Sequence, residues 1–242
     1  MRLSGRLALL LLSLLVLHPA EAAKPADGAA VLLRICSVVH RDALTRDTPE
    51  EADLAALRAT HAAEIDSAST FKPIGLTPAE AEAYLGTPPG QELLADLAAA
   101  DSASPPATIR ARAIDQLGTG SEDPKLAKHD SVLVKIVPHG QSVSPYSPYF
   151  ATVAAMKAAC DSPLRLADSF AVPLKSEAAT YDLYEIKPAK GEADSFVSVV
   201  APTSELAGLA LRPGGAVQSL VPNRGAWTQP VLVKIVPHGK SV

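Results

Sequence analysis

"VLVKIVPHGQSV" occupies residues 132–143 and "VLVKIVPHGKSV" occupies residues 231–242, the copies differing only at Gln141 against Lys240. Each copy is apolar and β-branched, stops at a proline (Pro138, Pro237) and turns at a glycine (Gly140, Gly239), the pattern of a strand followed by a turn. A repeat of this length raises the question of tandem domains. The stretch between the copies, 144–230, has no counterpart in the helix-rich region 38–131, so a repeated strand is the better reading. The two copies are expected to be the first and last strands of one sheet, paired with each other.

Working outward, "YDLYEIK" (181–187), "SFVSVVA" (195–201) and "AVQSLVP" (216–222) also read as strands. Ser147-Pro148 reads as a helix start that places Val153, Met156 and Cys160 on one face, and Leu164 to Phe170 as a second short helix. Upstream the texture is helical. Thr48-Pro49-Glu50-Glu51 and Thr77-Pro78-Ala79-Glu80 both start helices, the second as a capping box. Residues 90–100 and 106–118 complete a set of short helices, and "VLLRICSVV" (31–39) is a lone strand candidate. Residues 118–131 are polar and rich in turn formers, as in a linker or long surface loop. The expected architecture is α+β: a mainly helical region over 23–117 with one N-terminal strand, the loop 118–131, then a small mixed-sheet domain over 132–242 with one or two helices.

The first residues, "MRLSGRLALLLLSLLVLHPAEAAK", carry Arg2 and Arg6, an apolar run from Leu7 to Leu17, and a small-x-small site at Ala20-Glu21-Ala22. Residues 1–22 are therefore expected to be a cleaved signal peptide, and the run is too short to span a bilayer. The expected location is secreted or periplasmic, with no membrane span after cleavage. Cleavage leaves a chain one unit more negative than the −4 of the whole, which argues against nucleic acid as a partner. Cys36 and Cys160 are the only cysteines. One disulfide or two buried thiols fits these positions.

Several short motifs fail on their context. His40-Arg41-Asp42 lacks the companions of a kinase catalytic loop, and its order differs from the signature of histidine acid phosphatases. "HGKS" (238–241) has Lys234 where a phosphate-binding loop needs glycine. His139 and His238 each sit between a proline and a glycine, which places them on exposed turns.

The grouping with chemical content is "RLADSF…YDLYEIK…SFVSVVAPTSEL…LRPGGAVQSLVPNRGAW", within 165–230. Its "YDLYEIKP…VVAP…RPGGAVQSLVP" resembles the TNT family of secreted NAD glycohydrolase toxins and, more broadly, the closing part of ADP-ribosyltransferase folds. The resemblance spans about 70 residues. It implies an NAD-consuming activity in which NAD is substrate and no cofactor is bound, with a protein target or immunity partner. By position it gives Gln218 the ribose contact or the orientation of the attacking water, and Arg165 the functional arginine. Arg165 or Lys135 would hold the pyrophosphate, with guanidinium favoured for bidentate contacts. Tyr181, Tyr184 or Trp227 would stack on a ring. Ser204 would supply a strand hydroxyl, and the Gly214-Gly215 turn a close backbone approach. A non-catalytic secreted binding or adhesion module is the alternative class.

Overall fold

A computed structural model describes residues 56–67, 70–178 and 181–233. The signal-peptide stretch, the 31–39 strand candidate, the helix start at Thr48, Cys36 and the last nine residues of the second repeat copy lie outside the described residues. The chain is α+β, as its texture predicts. Residues 56–60 are helical, and the helices that follow include α1 (Ala62–Ile65), α2 (Pro78–Leu85), α3 (Pro88–Ala100), α4 (Pro106–Leu117), α5 (Val153–Asp161) and α6 (Leu166–Ser169). None of them is long and apolar enough to cross a membrane.

The strands form two sheets. β1 (Lys72–Pro73), β7 (Thr203–Glu205) and β8 (Ala210–Arg212) make a small one in the order β1-β7-β8. The larger runs β10 (Val231–Val233), β5 (Tyr181–Ile186), β3 (Leu133–Pro138), β4 (Tyr149–Thr152), β9 (Val217–Leu220), β6 (Ala193–Val199) and β2 (Lys125–His129), in that order. All of these pairings are antiparallel.

The repeat reads correctly as a repeated strand and incorrectly as a pair. β3 and β10 lie in one sheet but flank β5 on either side. β5 places Leu133 opposite Ile186 and Leu232 opposite Tyr184, a register difference of two residues. Because side chains alternate, a shift of two keeps equivalent residues on the same face. Val134 and Val233 accordingly share one apolar cluster with Leu183. The copies do not bracket the sheet either, because β2 precedes β3 in the chain.

The capping box forms as expected. Glu80 N–H donates to Thr77 Oγ1 at 3.3 Å and Thr77 N–H donates to the Glu80 carboxylate at 2.8 Å. α2, α3 and α4 then pack through Leu85, Leu93, Leu97 and Leu117, each no more than 2% exposed, onto Phe196 of β6 and Leu220 of β9. Full burial of each such side chain contributes about 1.5–3 kcal/mol. Helices and sheet therefore share a core, and residues 118–131 do not separate two bodies. They hold β2, whose five residues pair with β6 along their whole length. The helix expected from Ser147 starts later: Tyr149–Thr152 is strand β4, and α5 begins at Val153 with Thr152 as its N-cap.

β4 is the joint of the large sheet. It pairs with β3 only at Leu133↔Thr152 and Val134↔Ala151, and with β9 only at Tyr149↔Leu220 and Phe150↔Ser219. The half-sheet β10-β5-β3 and the half-sheet β9-β6-β2 thus meet through four residues. Beyond Val134, β3 and β4 part company.

Candidate functional site

A cavity of about 360 Å³ lies at this joint. Its walls come from β3 and the loop after it, from β4, from Thr119 behind α4, from Phe170 to Pro173 after α6, and from Gln218 of β9. Apolar residues make up the larger part of the lining, joined by eight hydroxyl-bearing residues, two glutamines and one cation. Ala171, buried in the wall, has a φ of 45°, a left-handed conformation that a non-glycine residue holds only under tertiary constraint.

The cation is Lys135. Alternation puts it on the same face of β3 as Leu133 and Val137, which are buried with Phe150, Val221 and Trp227. A lysine in the middle of a core face has to find a polar partner. Its Nζ donates to the Tyr149 carbonyl at 3.0 Å, spanning the place where β3 and β4 have stopped pairing. The same Nζ lies 5.6 Å from the Phe150 ring centroid and 6.0 Å from that of Tyr149. No carboxylate among the described residues forms an ion pair with it. Burial, with a smaller contribution from the nearby Arg224 guanidinium, pulls the Lys135 amine from its ordinary 10.5 down to about 8. Tyr149, with its phenol hydrogen-bonded to Thr119, is pushed up to about 12 by burial.

Gln218 lines the same cavity, 4% exposed. Its Nε2 reaches Thr119 Oγ1 at 3.2 Å, Ser198 Oγ at 3.2 Å and the Thr119 carbonyl at 3.3 Å. The amide thus ties β9 to β6 and to the end of α4 while one side of it faces the cavity. Tyr181 is a third wall residue; its hydroxyl accepts from Ala178 N–H at 3.0 Å, and burial raises its pKa. Lys135, Gln218 and Tyr181, three of the residues singled out in the sequence, converge.

The others do not line this cavity. Arg165 binds both Asp168 oxygens, at 2.7 and 2.9 Å, and Glu177 at 2.9 Å. Arg212, 3% exposed, binds the same two carboxylates, and Arg58 adds a 3.2 Å contact to Glu177. This ionic cluster clamps both ends of the segment 165–177, whose middle forms part of the cavity wall. Arg165 therefore positions that wall. Gly214 N–H and Gly215 N–H are engaged by the Asp168 and Val200 carbonyls, at 3.0 and 2.9 Å, so neither amide is open to a phosphate. Tyr184 is the cross-strand partner of Lys135, and its hydroxyl donates to the Gln141 carbonyl at 2.8 Å. Trp227 is buried with Val137 and Phe150 behind the cavity wall, its ring 6.1 Å from that of His129. Ser204 sits on β7 beside Thr203, and it is Thr203 that reaches the cavity. Cys160 is buried in α5 and is not a free thiol. His139 is exposed on its turn, as expected, and pairs with Asp182 at 2.8 Å.

Thr119, Tyr149 and Arg224 are not singled out by the sequence. None belongs to a motif, and they meet only because the half-sheets join at β4. No family model, curated protein or solved structure matches this chain. The chemistry of the site is therefore read from its geometry. No group of three or more metal-ligating side chains occurs among the described residues.

Proposed function

We propose that this chain is an exported small-molecule-binding protein whose ligand fills the cavity at the β3–β4 joint. The observation that carries the reading is the Lys135 amine, set on a core face, held by a single backbone carbonyl and opening on an otherwise largely apolar space. A ligand of this site has an apolar body and one polar head that meets the amine. The signal-peptide pattern supports a secreted or periplasmic location, and the negative charge of the chain disfavours nucleic acid. The test is thermal denaturation in the presence of small aromatic and aliphatic acids, alcohols and carbonyl compounds. Ligands are expected to raise the Tm, and Lys135→Met to abolish the preference for a polar head. A panel that leaves the Tm unchanged contradicts the reading.

An NAD-consuming activity is the second reading, supported by Gln218, Lys135 and Tyr181 lining one cavity beside the TNT-like pattern of letters. The engaged amides of Gly214 and Gly215 and the clamped Arg165 weigh against it. Nicotinamide release from NAD decides the point. Turnover that falls in Gln218→Ala supports the enzyme, whereas no turnover above that control leaves the binding protein.

A further inference from the structure

Lysine is a poor nucleophile while it carries its proton, and two surroundings remove that obstacle: an apolar pocket and a neighbouring cation. Lys135 has both. Its amine lies among the rings of Tyr149 and Phe150, and Arg224 places its guanidinium carbon 4.7 Å from the centroid of the same Phe150 ring. Arg224 has no carboxylate partner among the described residues, and its Nε is buried without a hydrogen bond. The positive charge around Lys135 is thus not neutralised by any described ion pair. Thr203, 3% exposed in the wall of the cavity, carries a hydroxyl without a hydrogen-bond partner, so a ligand's polar atom has a place to bind.

We propose that Lys135 Nζ condenses reversibly with the carbonyl carbon of a small aldehyde or ketone and holds it in the cavity as an imine. This rests on the cavity being a ligand site and names the chemical class of the ligand. The nitrogen lone pair adds to the carbonyl carbon, and the C=O π pair moves to oxygen, which takes up a proton to give a carbinolamine. The nitrogen lone pair then forms C=N as the hydroxyl leaves with a proton as water. Amine plus carbonyl compound gives imine plus water, with no oxidant or reductant.

The groups packed around the amine favour this. Arg224 opposes its protonation, and Tyr149, Tyr181 and Tyr184 are the titratable neighbours from β4 and β5. With the amine near 8, roughly a tenth of it is uncharged at pH 7, against a few in ten thousand for an ordinary lysine.

The test uses the full chain, 3-phenylpropanal as probe and sodium cyanoborohydride to fix the imine, followed by peptide mapping. In parallel, 3-phenylpropan-1-ol, which cannot condense, reports occupancy through the Tm. The expected result is a Tm rise with the alcohol, and labelling of Lys135 at pH 7 about tenfold faster than of any other lysine. Lys135→Met should lose the fast label and keep a reduced Tm rise with the alcohol, whose phenyl group still meets the apolar wall while its hydroxyl loses the amine. Arg224→Gln should slow the label severalfold, which covers the case in which the first variant does not fold. A Tm rise with Lys135 labelled no faster than other lysines overturns the imine and leaves the binding site. No Tm rise and no selective label overturns both.

Discussion

The Nζ of Lys135 donates to the carbonyl oxygen of Tyr149 at 3.0 Å, across the opening between β3 and β4. One side chain thus occupies the place of the ladder bonds that end after Val134, and the cavity exists because those bonds end. A charge placed there costs stability. Replacing such a group with an apolar residue of similar length is commonly neutral or stabilising.

Lys135→Met is therefore expected to raise unfolding free energy at pH 7 by on the order of 2 kcal/mol while removing the ligand's polar contact. The sign follows from proton counting. The folded amine loses its proton near 8 and the unfolded one near 10.5, so the unfolded state binds more protons between those values. Wild-type stability should rise with pH across that window relative to the variant. Above pH 10 both proteins lose stability alike, because Tyr84 and Tyr149, both raised to about 12 by burial, keep their protons when folded, and this contribution cancels in the difference. Urea unfolding of both proteins at pH 7, 9 and 10.5 measures the difference.

Arg212→Met should be among the most damaging single changes outside the apolar core. It strips one arginine from two carboxylates, Asp168 and Glu177, that are only partly exposed. Losing one partner of a buried pair costs about 3–5 kcal/mol. Arg165→Met removes an arginine far more exposed than Arg212 and should cost about 1 kcal/mol. Denaturant midpoints rank the two, and equal losses contradict the burial argument.

Much of the fold can be read in the letters, and the reasons for the exceptions are local. β5, β6 and β9 announce themselves through β-branched and aromatic runs, and the Thr77 box through its spacing. β2, "KLAKH", does not, because it is an edge strand whose charged residues face solvent. β4 hides behind Pro148, which reads as a helix start; Tyr149 and Phe150 become strand only because β9 is there to pair with them. Lys135 and Gln218 are conspicuous in sequence as polar residues inside apolar strands, and both reach the cavity. Arg165 stands out only through the resemblance; its carboxylate partners Asp168 and Glu177 are near in the chain, and the fold adds Arg212 of β8 to the same pair.

Gly214 and Gly215 have different roles despite adjacent positions. A Cβ on Gly214 would lie 2.5 Å from the Val200 carbonyl at a φ of 66°, whereas one on Gly215 would meet nothing within 4 Å at a φ of 94°. Gly214→Ala is expected to cost roughly 2–3 kcal/mol and Gly215→Ala about 1 kcal/mol. Thermal unfolding of the two variants should separate them in that order.

Cys160 is not free, and Cys36 is the only other cysteine of the chain. We expect one Cys36–Cys160 bridge. Removing it should cost about 2–4 kcal/mol, since a bridge constrains the unfolded chain. Intact mass before and after reduction with alkylation, together with non-reducing peptide mapping, tests this. Two alkylatable thiols without reduction would contradict it.

The central claim is that the Lys135 amine sits unneutralised in a ligand cavity, and its titration measures this directly. In protein labelled with ¹³C at lysine side chains, the carbon next to each amine reports protonation as pH is raised. One resonance is expected to titrate with a midpoint near 8 and to vanish in Lys135→Met. A Lys135 resonance that titrates with the rest would contradict the account.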